Sequence, residues 1–284
     1  MTSLASQTAP TPVEGFVNEG RGGGALGRAL GDLGRGLVRS ELWLALGWHD
    51  IRRRYRRSTL GPFWLTLSMA GTITGIGLLY ATLFGQDVST YLPYLAYGLI
   101  IWGLISALTG DGCSTFIDAS QTIEQVQAPL STHIYQMLWR NVLIFAHNAV
   151  LIPIVMTIFQ LWPGWAVLWA LPGLVILIVT FCGVSLALGV LSARFRDIPL
   201  TISMIIQFGF FFTPIIWSAE QLPQRAIVVV VNPFYYMLEI VRAPLLGKVP
   251  PLDVWLVAIG LMLATWAIAI GLYAKFRGRI AYWI

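Results

Sequence analysis

The sequence predicts an all-α membrane protein: six transmembrane helices, an N-terminal amphipathic helix lying in the membrane interface, and re-entrant outer helices before the last span. Three observations carry this prediction. Of the 284 residues, 57% are apolar and only 11% are charged, where a soluble domain carries about 25% charged residues. A water-soluble fold would have too few charges to cover its own surface. The mean hydropathy of +0.73 points the same way. Six apolar runs each reach the roughly 20 residues that a helix needs to cross a bilayer core. This composition excludes a disordered chain, a nucleic-acid-binding domain and an ordinary cytosolic enzyme.

Residues 1–40 are rich in Gly, Ala, Thr and Pro and read as a flexible cytosolic tail. The glycines between Ala25 and Leu37 argue against a helix there. No apolar core of signal-peptide type precedes residue 41, so no cleaved secretory signal is expected. Residues 41–62 read as the interfacial helix. Leu44, Trp48, Ile51 and Tyr55 recur at helical spacing, and Arg52, Arg53, Arg54, Arg56 and Arg57 crowd its end. Such a helix lies in the interface plane, with Trp43 and Trp48 near the headgroups. Gly61-Pro62 ends it and turns the chain into the bilayer.

The remaining residues, 63–284, hold the spans, read as 63–84, 92–112, 141–162, 166–191, 198–217 and 254–274. Pro153 and Pro172 mark points where the third and fourth runs kink or start outside the core. Charge supports an arrangement with both termini cytosolic. Fifteen basic residues then fall on the inner segments and three on the outer ones, a positive-inside bias. The arginine cluster has two readings, a topology signal or a contact with anionic lipid. The chain shows no internal repeat that would support an inverted-repeat transporter.

Two non-spanning segments are candidates for function. Residues 113–140 mix Asp118, Gln121, Glu124, Gln125 and Gln127 with Phe116, Ile123 and Val126. They fit a short amphipathic helix on the cytosolic face, either a connector or a docking element. In 218–253, the apolar runs 226–231 and 234–241 are too short to cross, and Asn232-Pro233 separates them. Two helices dipping into the outer leaflet would bury them, as a gate or as a loosely packed loop. Aromatic residues crowd the first span (Phe63, Trp64, Tyr80, Phe84) and the fifth (Phe208, Phe210, Phe211, Phe212, Trp217).

Ionisable groups within the spans are few: His147 beside Asn148 in the third, and Asp111 at the end of the second. They make neither a proton relay nor a catalytic constellation. Cys113 and Cys182 lack the spacing of a disulfide framework or a metal site. Gly247-Lys248 has no Gly five residues ahead of it, so the chain carries no Walker A loop. No catalytic and no metal-binding residues are assigned.

Four motifs in order resemble the type-2 ABC exporter permeases for polysaccharides, the Wzm/TagG/KpsM group. They are Arg54-Tyr55-Arg56-Arg57-Ser58-Thr59-Leu60-Gly61-Pro62-Phe63-Trp64, Ala193-Arg194-Phe195-Arg196-Asp197-Ile198-Pro199, Phe212-Thr213-Pro214-Ile215-Ile216-Trp217, and Asn232-Pro233-Phe234 followed by Glu239 to Gly247. The resemblance runs from about residue 41 to the end of the chain. It implies a homodimer in the bacterial inner membrane with two copies of a separate ATPase subunit, which would hold ATP and Mg. The implied cargo is a polyprenyl-diphosphate-linked glycan of O-antigen, galactan or teichoic-acid type, moved outward. The resemblance places lipid-diphosphate uptake at Arg54, Arg56 and Arg57. It places a cytosolic gate or coupling helix over Thr115, Phe116, Asp118, Glu124 and Gln127. Channel aromatics fall on Tyr80, Phe84, Phe208, Phe211 and Phe212, and an outer gate on Asn232, Pro233, Glu239 and Arg242. The alternatives are an ATP-independent secondary transporter or lipid-glycan flippase, which would need buried carboxylates in the spans, and a glycan-modifying enzyme.

Overall fold

The computed structural model describes residues 24–56, 58, 61, 63–125, 128–219 and 227–284, and these residues form helices and no strand. The central helix is α4 (Val88–Asp118). Its most apolar stretch is 78% buried, against 17% for that of α3 (Phe63–Phe84). Asp87 caps α4 by accepting hydrogen bonds from the Ser89 amide and hydroxyl, and these hold its carboxyl below the ordinary value of 3.8. Helix α3 buries only Ile73, Gly77 and Ala81, one face at four-residue spacing, and turns the rest of its apolar surface outward.

The second buried helix is α8 (Ala170–Arg194), entered through a 3₁₀ turn over Gly164–Trp169. Pro172 sits in its first turn, where a missing N–H leaves no intrahelical bond unmade. Helices α4 and α8 approach through small residues. A Cβ on Gly112 would stand 2.7 Å from the Ser185 backbone, and the Ser185 hydroxyl donates to the Leu108 carbonyl at 2.7 Å. Such crossings hold helices together where lipid supplies no hydrophobic drive.

The third run is broken into α6 (Ser131–Ala149) and α7 (Leu151–Ile158). Pro153 explains the break, since its ring clashes with the carbonyl four residues back, at Ala149. In the fifth run, α9 (Ile198–Phe212) stops after 15 residues, and Thr213 is extended with ψ 134. Pro214 forbids a helical conformation at the residue before it, so the expected span 198–217 is helical only to Phe212. The last helix, α12 (Leu252–Trp283), runs on to Trp283, well past the expected end at 274. Among the described residues, five helices are long and apolar enough to cross a membrane: α3, α4, α6–α7, the 3₁₀ turn with α8, and α12. Helix α9 is apolar but shorter.

Two expectations at the basic end need correction. The tail is not flexible over 25–40, because Ala25–Val38 forms α1. Tertiary contacts override the poor helix propensity of its glycines. Asp32, with no exposed surface, accepts from the Ser131 amide at 3.1 Å, the Tyr273 hydroxyl at 2.5 Å and Arg277 Nη2 at 2.8 Å. Gly36 lets α1 touch Ser131, against whose hydroxyl a Cβ would collide.

The second correction concerns the coupling segment. Thr115, Phe116 and Asp118 belong to α4, which outruns its expected end, and α5 covers only Ser120–Gln125. Phe116 and Thr115 are buried, because Gly189 of α8 leaves room for the Phe116 ring. Val126 and Gln127 lie outside the described residues.

Asp32→Ala would leave Arg277 buried without a counter-charge, a defect worth about 3–5 kcal/mol. The expected outcome is a lower thermal midpoint for the detergent-solubilised protein and protease cleavage near α1. The Asp32→Asn variant should fall between it and the native chain.

Candidate functional site

At the end of the bundle away from α1, the segment Thr213–Trp217 is not helical, so its carbonyls need partners from elsewhere. Three side chains supply them, and a fourth serves the carbonyl of Phe212 just before the break. The Tyr94 hydroxyl lies 3.0 Å from the Pro214 carbonyl and 3.2 Å from that of Trp217. The Tyr91 hydroxyl donates to the Ile216 carbonyl at 2.5 Å. Arg242 Nη1 donates to the Pro214 carbonyl at 2.6 Å, and Asn232 Nδ2 donates to the Phe212 carbonyl at 3.2 Å.

Asn232 and Arg242 sit at the start and near the end of α11 (Pro233–Leu245), which follows the short α10 (Ile227–Val230). Asn232 caps α11, its side-chain oxygen accepting from the Phe234 amide at 2.9 Å. Pro233 occupies the first turn, where proline's fixed φ suits a helix start. Arg242 is 1% exposed. Its charge is met by Glu239, with Nη2 to Oε2 at 2.6 Å, and its guanidinium lies 4.0 Å from the centre of the Tyr94 ring. Helix α11 packs into the main core through Met237, Leu238, Ile240 and Val241. Gly173 of α8 admits it so closely that a Cβ there would meet the Ile240 carbonyl at 2.4 Å. The loosely packed loop is therefore ruled out for 233–245. Asn232, Pro233, Glu239 and Arg242 form one site with Tyr91, Tyr94 and the Thr213–Trp217 break. The sequence reading found the first four but missed both tyrosines, because they lie more than 100 residues away in the chain.

The basic end holds a polar cleft of about 220 Å³ between α2 (Ser40–Arg54), α4, α5 and α6, lined in part by His49, Asp50, Asp118, Gln136 and Arg140. Arg140 bridges two acids, with Nη2 2.8 Å from Asp111 and Nη1 3.5 Å from Asp50. Gln136 donates to Asp50 at 2.8 Å and Asn141 to Asp111 at 2.9 Å. Asp111 is thus a paired residue within α4. Asp50 ties α2 to α6.

The packed face of α2 keeps Ile51 of the expected stripe, with Leu44 and Tyr55 partly buried, but turns toward Gly47 and away from Trp48. Gly47 and Ile51 are buried while Trp48 is half exposed. Gly47 sets the contact, since a Cβ there would meet Trp139 at 2.9 Å. Glycine carries no weight in an apolar periodicity, so the spacing could not show it.

The other site residues are placed as follows. Arg54 ends α2 and Arg56 lies in the turn after it, both exposed, while Arg57 lies outside the described residues. Asp118 is exposed and accepts from Ser114 at 2.7 Å. On α5, Ile123 is buried and Glu124 exposed. Tyr80 packs on Phe84 and Phe84 on Tyr91. Phe208, Phe211 and Phe212 of α9 are all more than half exposed, whereas Phe210 packs on Trp102. No more than two of the aromatics Tyr80, Phe84, Phe208, Phe211 and Phe212 meet in the ring pairs of the described residues.

Arg242→Met keeps the volume but strips Pro214 and Glu239 of their donor. A buried pair broken this way costs about 3–5 kcal/mol. Thermal unfolding of the purified variant should show the loss, and Glu239→Gln, which leaves the guanidinium its carbonyl and ring contacts, should lose less.

Comparison with known proteins agrees with this architecture. The chain is 23% identical over 206 residues to the O-antigen export system permease protein RfbA of Myxococcus xanthus, covering 71% of this chain and 79% of that protein. It is 25% identical over 196 residues to the protein of the same name from Klebsiella pneumoniae, covering 66% and 74%. Residues 41–246, from α2 to the end of α11, match the family described as ABC-2 type transporter. With that match over most of its length and five helices of spanning length and composition, the chain belongs to the ABC-2 type transporter family as a multi-pass membrane protein.

Proposed function

We propose that this chain is the transmembrane subunit of an ATP-driven exporter that carries a polyprenyl-diphosphate-linked polysaccharide from the cytosolic to the outer side of the bacterial inner membrane. The observation that carries this reading is the alignment with O-antigen export permeases along 71% of the chain. The subunit acts as a homodimer with two copies of an ATPase, and ATP and Mg belong to that partner. Helix α9 and the Thr213–Trp217 break together make the sixth crossing. A 15-residue helix covers about 22 Å, and the non-helical residues 213–217 carry the chain on from its end. Helices α10 and α11 re-enter from the outer side. The basic bias of fifteen against three puts both termini in the cytosol.

Several features support these roles. The exposed Glu124 face of α5 is the docking surface for the ATPase. Its buried Ile123 shares a cluster with Ala29 and Leu33 of α1 and Ile280 of α12, so a push on α5 reaches the spans as a packed unit. Arg140, held by Asp50 and Asp111, links the interfacial helix to α4 and α6. The arginines after α2 meet the lipid diphosphate, because a guanidinium offers phosphate two parallel donors. Phe208, Phe211 and Phe212 face the conduit or the second copy, with Tyr80 and Phe84 at the end of α3. A secondary transporter is disfavoured by the pairing of Asp111 and Glu239 with arginines, which leaves neither available to bind a coupling ion.

Two measurements test the proposal. In membranes containing chain and ATPase, Glu124→Lys should reduce co-purification of the ATPase or glycan-dependent ATP hydrolysis while insertion stays normal. Unchanged export and hydrolysis would remove α5 from coupling. Replacing Arg54, Arg56 and Arg57 with Lys preserves charge and topology but removes the planar fork. Export of lipid-linked glycan should fall several-fold at normal protein levels, and native export would confine these arginines to setting orientation.

A further inference from the structure

An apolar crevice of about 330 Å³ opens on the side of the bundle away from the polar cleft, among α1, α2, α6, α8 and α12. Its walls include Leu37, Trp43, Trp139, Val142, Ile178 and Trp266. Three of the amphipathic aromatics around it have their polar tips engaged by the protein. The Trp43 indole donates to the Leu37 carbonyl at 3.4 Å, the Trp266 indole to the Val179 carbonyl at 2.9 Å, and the Tyr135 hydroxyl to the Leu33 carbonyl at 3.1 Å. What these side chains turn toward the crevice is ring carbon. Water has nothing to bond there, and apolar cavities of this kind stay dry or take an apolar guest.

The position of the crevice says which guest. Three of its walls belong to helices of membrane-spanning length and composition, so it opens onto hydrocarbon. It starts at the α1–α2 elbow and on α6 runs from Tyr135 to Val142. That is about 10 Å along a helix axis, within the depth of one leaflet of a ~30 Å core. Arg39 stands exposed in the elbow between Leu37 and Trp43, both of which line the mouth. An apolar slot reaching into one leaflet, with a cation beside its headgroup end, matches a lipid of negative charge.

We propose that the crevice is a binding site for an anionic phospholipid, one acyl chain lying between α6, α8 and α12 and the headgroup phosphate at Arg39. Helix α1 completes the site: its Leu37 carbonyl holds the Trp43 indole, and its Asp32 fixes it to α6 and α12. The site is separate from the arginines proposed for the cargo. It stands whether or not the chain exports a glycan.

The test uses the full chain with its ATPase, reconstituted in vesicles containing phosphatidylglycerol that carries a diazirine on its acyl chain. After illumination, peptides containing Trp139, Val142 and Ile178 should be labelled several-fold more than those from the exposed face of α3. Excess unlabelled phosphatidylglycerol should suppress this labelling, and phosphatidylcholine should not. Val142→Trp with Ile178→Trp fills the slot and should cut the crevice label several-fold while leaving the α3 label unchanged. Arg39→Gln should abolish the preference for phosphatidylglycerol over phosphatidylcholine. Labelling no greater than on α3 overturns the proposal. So does competition by a polyprenyl phosphate in place of phosphatidylglycerol, which would assign the slot to an isoprenoid chain. The competition arm uses the native chain and reads the site even where the filled variant fails to assemble.

Discussion

A membrane interior offers no water to a backbone that leaves its helix, and the far end of this protein is built around that constraint. Pro214 ends α9 after 15 residues, within a stretch whose apolar pattern continues to Trp217. The stranded carbonyls are taken up by Tyr91 and Tyr94 from the buried central helix and by Asn232 and Arg242 from α11. Arg242 carries more than one of these duties. Buried with Glu239 and lying over Tyr94, it ties the break to α4 and α11 together, so the shape of this end depends on one guanidinium having every partner in place.

The basic end meets a similar demand with charge. Asp32 joins α1 to the start of α6 and to α12, and Arg140 joins α2 to α4. Both networks connect a helix beside the bundle to helices within it. Buried ion pairs add little net stability but are costly to break, which suits connections that must persist while other parts move. Between them lies the small cluster that receives Ile123 of α5. The element proposed to meet the ATPase is thus seated on a scaffold in which α1 and α12 lie outside the segment shared with the ABC-2 family.

The same end separates two kinds of surface. On one side of α2 and α6 the cleft is polar and lined by paired charges. On the other the crevice is apolar, with the polar tips of Trp43, Tyr135 and Trp266 turned back on the backbone. Trp139 divides them: its neighbour in the chain, Arg140, reaches the acids, while its own ring lines the crevice.

The sequence alone determined the membrane class, five of the crossing segments, the break at Pro153 and the motifs that resemble the family, whereas the early end of α9 at Phe212 came from the structure. These properties are local: the length of an apolar run, a proline's missing N–H, a short string of residues. Tertiary structure decided the rest. The poor helix propensity of the glycine-rich stretch 25–38 was overridden by burial of Asp32, whose partners lie 99 to 245 residues away. The face of α2 was set by Gly47 against Trp139, and a glycine is silent in any apolar pattern. Phe116 entered the core instead of a surface helix because Gly189 leaves space for its ring. Tyr91 and Tyr94 carry no local sign of their role, and only the fold brings them to the carbonyls of 214–217. In each case the deciding fact was a contact between segments distant in the chain, which no reading of one stretch contains.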